Sequence, residues 1–320
     1  MQKQQRKLVV VGVGSVGATY VYAMMHTGLA SEIVLVDIDR KRVEGEVMDL
    51  EHGLAFVQPV SIRAGSYSDC ADANLVVITA GAKQAPRQSR LELARRNAEI
   101  IESICDQIKK SNSDAVLLIV TNPVDVLTYV AQKQLGWPRQ RVIGSGTVLD
   151  SARFRFMLSQ HCGIDTRNVH AYVLGEHGDS EVAAWSMAHV AGVSMKDYCA
   201  ICQGCDSNKT HQDITRRVRD SAYHIIDYKG STYYAIGLAM TRISAAILRN
   251  EHSILTVSLL LQGEYGLDDV CLSVPCVVGE GGVERIITAP LSEAEQTGLE
   301  ASAKILRRTF DSLKIELSSR

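Results

Sequence analysis

Lys7-Leu8-Val9-Val10-Val11-Gly12-Val13-Gly14-Ser15-Val16-Gly17, with Asp37 closing the next apolar block, is the stretch that decides the fold. A short β-branched block reads as a buried strand, and residues 16–25, rich in Ala, Tyr and Met, read as a buried helix. Between them lies G-x-G-x-x-G, and each glycine has a separate task. Gly12 permits a tight turn, Gly14 lets the backbone approach a diphosphate, and Gly17 brings helix and strand close. The diphosphate would sit on the helix N-terminus, where free N–H groups and the helix dipole favour an anion. Glycines cluster in many turns, so the motif alone is weak. A preceding strand, a following helix and an acidic residue about 20 positions on make it specific.

Asp37 selects the cofactor. Its carboxylate can accept from the ribose hydroxyls of NAD and would repel the 2′-phosphate of NADP. The expected cofactor is NAD.

The same stretch imitates a targeting signal, because residues 1–7 are basic and residues 8–30 carry no formal charge. Gly12, Gly14 and Gly17 divide that run into halves of different character, which favours the strand–turn–helix reading. The chain of 320 residues is long for one domain. Its composition, 46% hydrophobic and 22% charged, is that of a globular protein, and a net charge of −2 gives no global attraction for nucleic acid or an anionic membrane. Eight irregularly spaced cysteines do not make a disulfide framework and read as free thiols, as in the cytoplasm.

Outward from the glycine motif, short apolar blocks at 8–11, 33–36, 75–78, 115–120 and 142–143, with a weaker one at 61–64, alternate with helical stretches. In residues 90–112, Leu91, Ala94, Ala98, Ile101 and Ile108 fall on one expected buried stripe. Strands apolar on both faces, alternating with helices, form a parallel sheet covered on both sides. The expected class is α/β: a doubly wound parallel (Rossmann) sheet over residues 1–146, followed by a mixed α+β substrate domain over 147–320. In that second half we expect helices at 147–162, 214–228, 232–249 and from 292 onward. Strands are expected at 169–174, 254–262 and 270–278, with a polar connection over 197–210.

Five further segments occur in order: Ala80-Gly81-Ala82-Lys83-Gln84-Ala85-Pro86, Ser89-Arg90-Leu91, Thr121-Asn122-Pro123, Asp150-Ser151-Ala152-Arg153-Phe154-Arg155 and Gly175-Glu176-His177-Gly178-Asp179. Together they resemble the L-lactate/malate dehydrogenase family, from Lys7 to near the C-terminus. The resemblance implies reversible hydride transfer between a nicotinamide cofactor and a 2-oxo acid. It makes His177 the proton donor and acceptor, Asp150 the carboxylate that holds its imidazole, and Arg153 the clamp on the substrate carboxylate. Arg90 corresponds to an arginine on a closing loop that polarises the carbonyl. Asn122 and Thr232 correspond to substrate-site residues. Val16, Ala80, Gly81, Asn97, Thr121, Asn122 and Ile236 join Gly12, Gly14, Gly17 and Asp37 around the cofactor. Chemistry agrees: a histidine titrates near neutrality, and arginine offers a planar fork that lysine lacks. Asp150 and Arg153, three apart on a helix, can face one pocket.

Gln84 stands where the malate enzymes of the family carry an arginine. A second, buried substrate carboxylate would therefore lack its partner, which costs about 3–5 kcal/mol. That is roughly a hundred- to several-thousand-fold in favour of pyruvate over oxaloacetate. The expected activity is thus pyruvate to L-lactate, within glycolysis and fermentation. Two departures touch the loop: Arg87 follows Pro86 where the family has glycine, and Gln88 replaces a common acidic residue. The competing readings are a malate or branched-chain 2-hydroxy-acid dehydrogenase, and an NAD-binding structural protein that has lost catalysis. The latter would show a replacement at His177, Asp150, Arg90 or Arg153, and all four are present.

Cys199, Cys202 and Cys205, with His211 nearby, resemble a metal-binding spacing but lack a regular fourth ligand, and no metal is expected. Arg155 and His170 match positions where some bacterial relatives bind fructose 1,6-bisphosphate between subunits. The same residue types occur in non-allosteric relatives, so that point stays open. A homotetramer is expected by resemblance alone.

Overall fold

A computed structural model describes residues 6–82, 89–201 and 207–313. The amino-terminal half is the expected alternation. β1 (Lys7–Val11), β2 (Glu32–Val36), β3 (Ser61–Ala64), β4 (Leu75–Ile78), β5 (Val116–Ile119) and β6 (Val142–Gly144) pair in parallel, in the spatial order β3-β2-β1-β4-β5-β6. Between them run α1 (Ser15–Met25), α2 (Arg40–His52), α3 (Arg90–Lys110) and α4 (Val124–Leu135). Strand order reverses between β1 and β4, and in such sheets ligands bind at the crevice outside the carboxyl ends of those strands. β1, β4 and β5 are buried at every residue, as strands covered on both faces must be.

The sheet does not stop at β6. β10 (Ser253–Gln262), β11 (Asp268–Gly279) and β12 (Gly282–Ile286) continue it antiparallel, joined through Ser258 opposite Gly144. A separate antiparallel sheet holds β7 (Val169–Leu174), β8 (Val182–Val190) and β9 (Val193–Ser194). Its buried residues Val169, Ala171 and Val173 join Phe154 and Leu158 of α5 (Val148–Cys162) in a second core. There Trp185 meets Phe154 edge-on at 4.9 Å. The remaining helices are α6 (Met195–Ile201), α7 (Ser207–Lys229), α8 (Tyr234–Leu248) and α9 (Glu293–Ser312). α8 crosses to the nucleotide half, where Tyr20 of α1 and Ser244 share a buried 2.6 Å hydrogen bond.

Several expectations need correction. Residues 197–210 are not simply a polar connection: α6 ends within them and α7 begins at Ser207, while residues 202–206 lie outside the described set. β8, β9 and β12 were not anticipated, because Ala183, Ala184, Gly281 and Gly282 dilute any alternating apolar pattern. On α3, Ala94, Ala98, Ile101 and Ile108 form the buried stripe, but Leu91 is exposed on the first turn. Among the described residues no helix is long and apolar enough to cross a membrane.

Two glycines of the opening motif are imposed by geometry. Gly12 has φ +100°, and a Cβ there would lie 2.4 Å from the Ala80 nitrogen; at Gly17 it would lie 2.1 Å from the Gly12 oxygen. Gly12→Ala is therefore expected to cost about 1–3 kcal/mol and to lower the unfolding midpoint by several degrees. Calorimetry beside wild type checks it; an unchanged midpoint contradicts the packing described.

Candidate active site

The site is assembled at the junction of α5, the loop after β7, and α4. Asp150 lies in the first turn of α5, where the helix dipole favours a carboxylate. It is essentially buried, and both its oxygens are committed. Oδ2 lies 2.5 Å from His177 Nδ1, and Oδ1 accepts from Arg153 Nη1 at 2.6 Å. Burial alone would raise its pKa, but the charges of His177 and Arg153 outweigh that and hold it below the ordinary carboxylate value. The reciprocal effect acts on His177. The negative charge of Asp150 pushes its pKa up to about 9, against the opposing pull of burial. With Nδ1 turned to Asp150, Nε2 is the ring nitrogen left for a ligand.

The loop carrying His177 is fixed from three sides. Gly175, at φ +87°, exchanges backbone hydrogen bonds with Ser273 of β11 at 2.9 and 3.0 Å. The Glu176 nitrogen donates to Ser302 Oγ on α9 at 2.8 Å. The His177 nitrogen donates to Asp125 Oδ2 on α4 at 2.8 Å.

The nucleotide side lies at the carboxyl ends of β1, β2, β4 and β5. α1 starts at Gly14 without a side-chain cap and without an acidic residue in its first turn, so its free N–H groups face an anion unopposed. Among the described residues a Cβ at Gly14 would meet nothing within 4 Å, which leaves open space for a diphosphate. Asp37 is half-buried, with Oδ2 accepting from the Val13 nitrogen at 2.8 Å and Oδ1 from the Asp39 nitrogen at 3.1 Å. This ties the acidic residue to the glycine turn. Asn97 holds the two facing loops: Oδ1 accepts from the Ala82 nitrogen and Nδ2 donates to the Asn122 carbonyl, at 2.8 and 2.9 Å. Thr121 Oγ1 donates to the Ala80 carbonyl at 2.7 Å, and a Cβ at Gly81 would lie 2.4 Å from Thr121 Cγ2. Asn122, exposed beside these loops, precedes Pro123 through a cis peptide bond.

A family model for the NAD-binding domain of lactate/malate dehydrogenases matches residues 6–144, and one for their α/β C-terminal domain matches residues 147–316. The chain belongs to the lactate/malate dehydrogenase family. Its cofactor is NAD, which the open, uncapped cradle at Gly14 and the carboxylate of Asp37 fit. The L-lactate dehydrogenase of Treponema denticola is 56% identical over 313 residues, covering 97% of this chain and 99% of its own. That of Acetivibrio thermocellus is 53% identical over 310 residues, covering 97% and 98%. The crystal structure of a lactate dehydrogenase from a Medee basin deep-sea metagenome library superposes with a TM-score of 0.94 at 48% identity, covering 98% of this chain and 100% of that one.

Within this family member the structure brings His177, Asp150 and Arg153 into one hydrogen-bonded cluster. Gly12, Gly14, Val16, Gly17, Asp37, Ala80, Gly81, Asn97, Thr121 and Asn122 lie at the mouth of the parallel strands. Thr232 lies just ahead of α8, and Ile236, half-buried on it, packs against the main core. Gln84, Arg87, Gln88 and the side chain of Arg90 lie outside the described residues, as do Cys202 and Cys205. Arg155 points away from Asp150, donating Nε to the Ala171 carbonyl at 2.9 Å with its guanidinium over the Tyr172 ring. His170 is exposed on β7.

Two neighbours escaped the sequence reading. Glu181, buried at the head of β8, has its pKa raised first by burial and then by the charge of Asp150. Asp125, buried on α4, is an acidic residue inside the otherwise apolar run Val124, Val126, Leu127. An unexplained charge in such a run is the signal that could have found it.

Proposed function

We propose that the chain is an NAD-dependent L-lactate dehydrogenase that reversibly reduces pyruvate to L-lactate. One observation carries the chemistry: a single buried carboxylate, Asp150, holds both the imidazole of His177 and the guanidinium of Arg153. NADH, when bound, supplies the hydride. His177, kept protonated by Asp150, gives its Nε2 proton to the ketone oxygen. Arg153 has N–H groups beyond the one on Asp150 and takes the substrate carboxylate with them. Arg90 closes over the substrate and polarises the carbonyl, while Asn122 and Thr232 complete the substrate site. Residues 1–146 hold the cofactor and residues 147–320 supply the proton and carboxylate chemistry.

The substrate follows from Gln84, a neutral amide that offers a second carboxylate no charge. With equal low concentrations of pyruvate and oxaloacetate, NADH oxidation is expected to favour pyruvate by roughly a hundredfold or more. Comparable or inverted rates would mean that Arg87 supplies the missing cation, and the substrate assignment would fall while the hydride chemistry stood.

The same reading gives a cytoplasmic homotetramer. Exposed apolar side chains support assembly, among them Phe56 at 87%, Leu238 at 65% and Tyr22 at 58% exposure; a monomer in sedimentation would overturn it. We further propose that Arg155 and His170 take fructose 1,6-bisphosphate at a subunit boundary, an assignment that stands apart from the lactate reading because non-allosteric relatives carry the same residue types. A pyruvate KM unmoved by the bisphosphate removes that ligand.

A further inference from the structure

Asp125 lies behind the His177–Asp150 pair and has no part in the chemistry proposed above. It follows Val124 in the first turn of α4 and is 2% exposed. Oδ2 accepts the backbone N–H of His177 at 2.8 Å. Oδ1 is buried and faces Ser258 Oγ on β10, and among the described residues neither atom has another hydrogen-bond partner. On its other side Asp125 borders a hollow shared with Tyr129, Cys271 and Phe310. An apolar side chain at 125 would avoid the desolvation cost that a carboxylate incurs here. What it could not do is accept the His177 N–H.

We infer that Asp125 is a positioning residue for the proposed proton transfer: it fixes the backbone of His177, and so the seat of the imidazole on Asp150, and adds a second negative charge beside that ring. The inference rests on the reading of His177 as the proton donor. Three sets of charged or titratable groups bear on it. Glu176 and His177 face Asp125 from the loop, and Ser258 from β10. Cys271 on β11 lies within reach of its charge, and Asp269 and Arg307 border the same hollow. Asp150 and Arg153 act on His177 from α5, and Glu181 at the head of β8, its pKa raised to about 8 by burial and by the charge of Asp150, faces the same pair. Burial pushes the Asp125 pKa up to about 6, with Ser258 and the His177 backbone N–H opposing. Its charge is in turn among those that raise His177. Asp125 is therefore charged at neutral pH and begins to lose that charge under mild acid.

The test uses the full chain carrying Asp125→Asn, Asp125→Ala or, in parallel, His177→Asn. Pyruvate reduction is followed across pH, NADH affinity by fluorescence quenching, and folding by thermal melts. Asn keeps an acceptor for the His177 N–H and loses the charge. Its kcat is expected within about threefold of wild type, with the alkaline limb of kcat/KM displaced to lower pH. Ala loses the acceptor too, and its kcat is expected to fall by about tenfold or more below Asn, since small misplacements of reacting groups are costly. NADH affinity should not move. Wild-type kcat with an unmoved limb in both variants overturns the inference, and so does an equal loss in both that tracks their melting temperatures. If Ala fails to fold, the Asn limb decides by itself: displaced it supports the inference, unmoved it overturns it. Should His177→Asn remain active, the reading of the proton donor fails instead, whatever the Asp125 variants do.

Discussion

His177→Asn is expected to lower kcat for pyruvate reduction on the order of 10³-fold, because positioned proton transfer contributes about 10²–10⁴-fold and asparagine has no proton to give at neutral pH. The loss should fall on kcat, with NADH affinity intact, since the cradle at Gly12, Gly14 and Asp37 is built from other elements. The pH profile gives the sign. Reduction needs the imidazolium, so kcat/KM for pyruvate should hold level at neutral pH and fall as pH rises through about 9. Lactate oxidation needs the neutral ring and should rise over the same interval. Asp150→Asn removes the largest influence raising the His177 pKa, so the limb moves down toward about 6.5, the ordinary histidine value. At pH above neutrality reduction then loses both its proton and the stabilised imidazolium. A His177→Asn enzyme retaining a tenth of wild-type kcat would remove histidine from the chemistry.

Much of this was legible because the chemistry is local in sequence. The strand, three glycines and Asp37 lie within one βαβ unit, and their spacing carries the turn, the helix and the carboxylate together. Asp150 and Arg153 are three apart on one helix, so helical geometry alone puts them on one face, and the structure joins them at 2.6 Å. Other features are long-range and leave no periodic trace. That β10–β12 extend the parallel sheet depends on Ser258 meeting Gly144, far apart in the chain. A Cβ at Gly144 would lie 2.4 Å from Thr128 Oγ1, so this glycine serves a close approach that no glycine motif announces. β8 was missed because Ala183, Ala184 and Ala188 bury well but mark no strand. The role of Asp125 was hidden for the same reason, since the group it serves is a backbone N–H 52 residues away. Leu91 shows the reverse error: periodicity assigned it to the buried stripe, and only the packed structure reveals that the first turn of α3 leaves it exposed.

Arg153→Lys should lower kcat/KM for pyruvate by roughly 30- to several-thousand-fold, corresponding to the 2–5 kcal/mol expected when a buried, hydrogen-bonded charge pair loses one partner. The reason is geometric. Nη1 of Arg153 already donates to Asp150 Oδ1, so the guanidinium must serve two carboxylates at once. Its planar fork has the donors for both; an ammonium is a single point charge that must sit on one or the other. On Asp150 it abandons the substrate; on the substrate it leaves a buried oxygen of Asp150 unpaired. The two outcomes are separable. If lysine stays with Asp150, KM rises while the alkaline limb keeps its place. If it moves to the substrate, the positive charge that lowers the His177 pKa recedes, and the limb shifts upward, opposite to the shift in Asp150→Asn. Arg153→Leu should give the greater loss together with that upward shift. NADH affinity is again the control, and a lysine enzyme matching wild type in KM would show that the substrate carboxylate is held elsewhere.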